Sequence, residues 1–133
     1  MYHDSVKIAL EKDGWKIIRE NLFLEIDDDE LFIDLEAEAL FVERLGEKIA
    51  IEVKSFRGQS FITNMHEALG QYNIYRVALS LLRPDLSIFL AVPEEVYNAR
   101  FKSRLIQEVI RVERTQIVVY DIDNQKIVSW IKN

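Results

Sequence analysis

The chain has no cysteine among its 133 residues. That excludes a disulfide framework and any thiolate metal site. Histidine occurs only at positions 3 and 66, never as a pair at ligand spacing, which argues against zinc. Glycine (4) and proline (2) are scarce, and no linker, repeat or low-complexity segment breaks the chain. The apolar runs stay far below the length of a membrane span. The opening MYHDSVKIALEKDGW lacks the basic and apolar regions of a signal peptide, so a cytoplasmic location is the expectation. Positive charge is short as well. A net charge of −6 has the wrong sign for a protein whose affinity rests on neutralising phosphates. It does not disfavour a metal-dependent nuclease, whose site is itself rich in carboxylates. Such a protein needs a local basic patch, a basic partner, or both.

What is present is an ordinary globular composition, 49% hydrophobic and 30% charged, in a length that suits one domain over 1–133. Asp4 can cap a first helix running to about Asp13, with Val6, Ala9 and Leu10 on one face and Gly14 as its stop. WKII (15–18) reads as a strand, EIDDDE (25–30) as a solvated acidic turn, and LFIDL (31–35) as another strand. AEALFVERLGEKIAIEVKSF (37–56) reads as a β-hairpin turning near Leu45-Gly46-Glu47. The longest helical pattern starts between Ser60 and Asn64 and runs through Met65, Leu69, Tyr72, Tyr75, Leu79 and Leu82 to Pro84. LSIFLAVP (86–93) has the near-continuous apolar character of a central strand covered on both faces. A helix around 100–113 follows, then two strands, 116–122 and 126–131, across an Asp-Asn turn. The order predicts an α/β (α+β) domain, a mixed β-sheet flanked by helices.

Within KIAIEVKSF (48–56) an acid and a base interrupt an apolar strand. Side chains alternate along a strand, so Ile51 and Val53 point one way while Ala50, Glu52 and Lys54 point the other. The apolar pair anchors the strand, and the charged pair is fixed on a rigid scaffold. Glu52 can bind a hard divalent cation, to which the Val53 carbonyl adds an oxygen; Mg²⁺ uses one or two carboxylates with waters and phosphate oxygens. Lys54 can orient an attacking water and stabilise charge on a phosphate. Alone, an acid-x-Lys tripeptide is weak, because Glu and Lys also alternate on solvent-facing strands. A metal site needs a second carboxylate on a neighbouring strand. With the hairpin turn at Gly46, Glu38 falls opposite Val53 and Lys54, while Asp34 falls one pleat further out. Both are candidates, and that geometry favours Glu38. Gln71 and Tyr75, four apart, share one helix face. Gln71 can reach a phosphate or a metal-held water, and Tyr75 can support it or simply fill the core.

These pieces resemble the PD-(D/E)xK nuclease superfamily and its restriction-endonuclease-like fold. Glu52-Val53-Lys54, followed by Ser55, is similar to the acid-x-Lys motif, and Gln71-x-x-x-Tyr75 to the Q-x-x-x-Y motif of the RecB-like branch. HDSVKIALEKDGW, LFIDLEAE, KIAIEVKSF, ALGQYNIYR and IVVYDIDNQKIVSWI more closely resemble the XisH family, the excision-controlling factors of the cyanobacterial fdxN element, over His3 to Ile131. The resemblance implies a role in programmed DNA excision, where a separate site-specific recombinase performs the excision and a small XisI-like protein is the partner. It implies a DNA substrate, Mg²⁺ or Mn²⁺ held by Glu38, Asp34 and Glu52, and catalysis by Lys54, Glu52 and Gln71 with Tyr75 in support. It leaves open a fold kept only as a regulatory scaffold. Two features depart from the superfamily. Its first acid is usually Asp, where this hairpin offers Glu38, and the Glu that many relatives carry on the first helix has only Glu11, beside Lys7, as its counterpart. His3 reads as part of the helix cap or as an approach to the site, and His66 as a surface residue. Lys54, Arg57, Gln59 and Ser60 bracket Gly58 in a loop that can contact a phosphate backbone or merely connect. A homodimer is expected because so small a chain presents little surface to a duplex.

Overall fold

The structure, a computed structural model, describes residues 2–40 and 44–133. One mixed sheet of six strands runs through it in sequence order. Helix α1 (Tyr2–Lys12) precedes strands β1 (Trp15–Ile26), β2 (Asp29–Ala39) and β3 (Lys48–Val53). Helix α2 (Phe61–Leu82) then leads to β4 (Leu86–Pro93). A short helical piece, α3 (Glu94–Val96), continues through a π-helical turn (Tyr97–Phe101) to α4 (Arg104–Glu113), and β5 (Ile117–Asp121) and β6 (Lys126–Ile131) close the chain. β1, β2 and β3 pair antiparallel, β3, β4 and β5 run parallel, and β6 returns antiparallel. This is the mixed sheet flanked by helices that the sequence predicts.

Two cores sandwich the sheet. Val6 and Leu10 of α1 pack on Ile49, Ile51, Phe89, Val118 and Tyr120. Met65, Ala68, Tyr72 and Leu79 of α2, with Ile106 and Ile110 of α4, pack on Ala50, Ile88, Leu90 and Val119. β4 contributes to both, which is why it is apolar but for the exposed Ser87 near its start. β3 splits as its alternation requires: Ile49 and Ile51 face α1, Ala50 faces α2.

Local chemistry explains the boundaries. The Ser60 side chain caps α2 by accepting the Thr63 N–H at 3.1 Å, leaving one fewer orphan donor in the first turn. Ser103 does the same for α4 through the Ile106 N–H at 3.3 Å, so α4 starts at Arg104, later than the pattern around 100 suggests. α1 starts at Tyr2, which places Asp4 inside its first turn, where its charge complements the helix dipole. Gly14 ends α1 at φ +91, a conformation natural only to glycine.

The larger departures lie in the first hairpin. β1 and β2 are long strands joined by a two-residue turn at Asp27 and Asp28, with Asp27 left-handed (φ +54) as Asp tolerates. The acidic segment is the tip of this hairpin. β3 pairs only with the Leu35–Glu38 part of β2, so the remainder of the hairpin overhangs the sheet as a two-stranded arm. Leu22, Leu24 and Ile33 of the arm pack on the α2 side. The second hairpin closes differently from the expectation. Phe41, Val42 and Glu43 lie outside the described residues, but the connection is tied by the Ala39 N–H donating to the Glu47 carbonyl at 2.9 Å. A closure there slides β2 against β3 relative to a tight turn at Gly46.

Candidate functional site

The slide decides which acid meets Glu52. Leu35 pairs with Ile51 and Glu38 with Lys48. Glu38 therefore does not lie opposite Val53 and Lys54. It sits about 13 Å along β2 from Asp34, and Asp34 takes the place expected of Glu38. The longer-than-expected connection is the physical reason, since register in a hairpin follows its loop.

Asp34 and Glu52 stand where the β2–β3 ladder stops, and their side chains finish it. The Asp34 N–H donates to Glu52 Oε1 at 3.3 Å. The Val53 N–H donates to Asp34 Oδ2 at 2.8 Å. Asp34 also marks a twist in β2, between Ile33 on the α2 side and Leu35 on the α1 side. The two acids are thus fixed by backbone donors from each other's strand. Each keeps a second carboxylate oxygen uncommitted to those bonds.

Lys54 extends the group. Its N–H donates to the Ala91 carbonyl of β4 at 3.2 Å, which continues the line of β3 one residue past its end. Its Nζ lies 3.8 Å from Glu52 Oε2. The constellation occupies the C-terminal end of a parallel strand, where open α/β sheets bind ligands.

Glu52 is only 6% exposed. Burial, then the nearby Asp34 charge, push its pKa up to about 7, against the opposing pull of Lys54. The pKa of the Tyr75 hydroxyl on α2 is raised by burial and then by the charges of Glu52 and Asp34. One turn away on α2, Gln71 buries its Oε1 without a hydrogen-bond partner. Buried polar atoms are nearly always satisfied, so such an orphan points toward a ligand or an ordered water.

Among the described residues no group of three or more His, Cys, Asp or Glu side chains is arranged to hold a metal ion. Two carboxylates with the Val53 carbonyl fit Mg²⁺ or Mn²⁺ better than an ion that needs an all-protein cage. The raised pKa of Glu52 fits too, because a buried and a half-buried carboxylate sharing one space repel each other, and a divalent cation would offset that repulsion.

Other expected residues lie elsewhere. Glu11 is exposed on α1, which covers the other face of the sheet, and Lys7 pairs with Glu20 at 3.4 Å. His3 meets Glu20 at 2.8 Å. His66 is exposed on α2. Two features of the region escaped the sequence reading. Glu36 is buried between Arg19 and Arg83, each at 2.9 Å. Phe56, two residues after Lys54, adopts φ +60, a strained conformation for a bulky side chain. No sequence signal announces the second; the alternation of Glu36 with Glu38 was a visible sign of the first.

Fold and site together define a class: α+β domains that hold a carboxylate pair and a lysine at the mouth of a mixed sheet. The chain belongs to the XisH family, whose model, described as XisH protein, matches residues 1–128. It is similar to the crystal structure of an XisH family protein from Nostoc punctiforme, at 39% identity, 98% coverage of both chains and a TM-score of 0.91. It is equally similar to that of an fdxN element excision controlling factor protein from Anabaena variabilis, with 39% identity, 98% coverage of both chains and a TM-score of 0.91. No curated protein matches. The family is thereby linked to control of fdxN element excision. No helix among the described residues is long and apolar enough to cross a membrane.

Proposed function

We propose that this chain is an accessory factor in programmed excision of a DNA element, built on a restriction-endonuclease-like fold, and that it hydrolyses DNA phosphodiesters with Mg²⁺ or Mn²⁺. The observation that carries the reading is the Asp34–Glu52–Lys54 cluster at the end of β3, with Glu52 buried against Asp34. Asp34, Glu52 and the Val53 carbonyl would hold the ion, which when bound would supply Lewis-acid stabilisation of the phosphate and a more acidic water. Lys54 orients the attacking water and offsets charge growing on the phosphate. Gln71 donates from its Nε2 to a phosphate oxygen or accepts with its unpartnered Oε1 from that water, and Tyr75 steadies Gln71 from one turn along α2. Water oxygen bonds to phosphorus as its proton passes to solvent, the P–O bond to the leaving sugar breaks, and solvent protonates the departing oxygen.

The test uses purified protein with linear, branched and single-stranded DNA in Mg²⁺ and then Mn²⁺. Wild type is expected to cleave, and Lys54→Ala to cleave roughly 100-fold more slowly or not at all. Absence of cleavage by folded protein under every condition sinks the enzymatic reading.

A second reading is a catalytically silent regulatory module, acting with a small XisI-like partner and a recombinase. It is favoured by a groove of about 600 Å³ between α2 and the arm, lined by Ile26, Leu31, Ile74, Val77, Ala78 and Leu81. Asp29 and Glu30 rim it, so the partner surface would be apolar with basic residues around it. Val77→Glu is expected to break a complex with that partner; a complex unaffected by this change counts against the groove.

A further inference from the structure

A second cavity, of about 330 Å³, opens at the loop that follows Lys54, bounded by that loop, the start of α1 and the turn around Glu95–Arg100. Two arginines border it, each laid over an aromatic ring. The Arg57 guanidinium lies 5.5 Å from the Tyr2 ring centre, and that of Arg100 lies 4.4 Å from Phe61. Such pairs hold the guanidinium plane in place and leave its second face open for another flat group. The strained Phe56 supplies a further ring, packed on Phe61 at 5.8 Å and edge-on to Phe101 at 5.4 Å.

Polar groups suited to a base edge are also present. Glu95 lines the cavity as an acceptor. Gln59 lines it too, its Nε2 donating to Asn64 Oδ1 at 2.9 Å, which leaves its carbonyl as an acceptor. Both suit amino groups on a base. Three Cα-to-Cα steps separate Lys54 from Arg57, at most about 11 Å. One strand can therefore reach the cavity and the carboxylates together.

Charge bears on which nucleic acid fits. At −6 the chain gains little from phosphate neutralisation, the main source of affinity for a regular duplex. An unpaired strand adds exposed base faces, and stacking them contributes affinity beyond the phosphate contacts. The volume lies at the small end of ligand sites and matches one nucleotide rather than a duplex.

We propose that the cavity flanked by Arg57 and Arg100 takes an unpaired nucleotide, stacked on a guanidinium face, from the strand whose backbone continues toward Asp34 and Glu52. This rests on the nucleic-acid reading above and adds the substrate class: single-stranded or frayed ends in preference to closed duplex.

The experiment uses the full chain in EDTA, so that no cleavage intervenes. The probes are a 12-nucleotide single strand carrying one 2-aminopurine, the same strand in a blunt duplex, and a duplex with a single-stranded overhang. Anisotropy of an end label and 2-aminopurine fluorescence are followed together. Single strand and overhang are expected to bind roughly tenfold or more tightly than blunt duplex, with the 2-aminopurine quenched by stacking. Arg57→Ala and Arg100→Ala are each expected to weaken binding roughly tenfold, and Arg57→Lys to rescue little, since lysine has no planar face. Circular dichroism checks that the variants fold. Equal affinity for all three probes, or both arginine variants binding like wild type, overturns the cavity while leaving cleavage intact. Failure to bind any of the three probes overturns the nucleic-acid reading together with the cavity.

Discussion

Asp34 and Glu52 complete each other's strand: the backbone of one donates to the carboxylate of the other, and the Val53 N–H returns a bond to Asp34. The acids are thus structural pieces of the sheet as well as candidate ligands. Their pairing makes a sharp comparison available.

Asp34→Ala is expected to abolish divalent-ion binding at millimolar concentration, and Glu38→Ala to leave it within about twofold of wild type, because Glu38 faces Lys48. Calorimetric titration with Mn²⁺ decides. Asp34→Asn keeps the acceptor for the Val53 N–H, so a loss of binding in that variant separates charge from folding.

The raised Glu52 pKa gives a pH dependence of defined sign. Below its ordinary value of 4.5 the group is protonated folded or unfolded and has no effect. Between 4.5 and about 7 the unfolded chain releases the proton while the folded chain keeps it, so stability falls as pH rises. Above about 7 the full deficit, on the order of a few kcal/mol, remains. Glu52→Gln should match wild type near pH 4 and be more stable than wild type at pH 8 in urea denaturation. Mn²⁺ should restore wild-type stability at pH 8 and bind more tightly as pH crosses 7, since it competes with the proton.

Gln71→Met conserves volume and removes a buried oxygen that has no partner. Stability should stay level or rise by up to about 1 kcal/mol, while DNA cleavage falls roughly tenfold. A variant that loses stability instead shows that Gln71 serves packing.

Glu36, 3% exposed, is held by Arg19 and Arg83. Glu36→Ala should cost about 2 to 3 kcal/mol, the range of a broken buried pair eased by the exposure of Arg19. Urea denaturation reads the loss, and Mn²⁺ affinity should change little, because this network is distinct from the Asp34–Glu52 pair.

Much of this was legible in the sequence because the signals were local. The alternation through Ile49, Ala50, Ile51 and Glu52 fixed which side of β3 carries charge. Ser60, two apolar periods and Pro84 bounded α2. Register was not local. It depends on where the β2–β3 connection closes, and the Ala39–Glu47 bond that closes it has no signature in residue type. The length of β1 was hidden for a different reason. Arg19, Glu20 and Asn21 are exposed, so the run reads as polar and broken although the strand continues through them to Ile26.

The overhanging arm of β1 and β2 has a mechanical meaning. Asp34 sits at its root, where β2 leaves the support of β3, while Glu52 and Lys54 belong to the sheet proper. The arm is not loose, however: Leu22, Leu24 and Ile33 pack it on the α2 side. With Asp34 bonded to Glu52 and Val53 across its root, the arm braces the spacing of the two carboxylates from the β2 side.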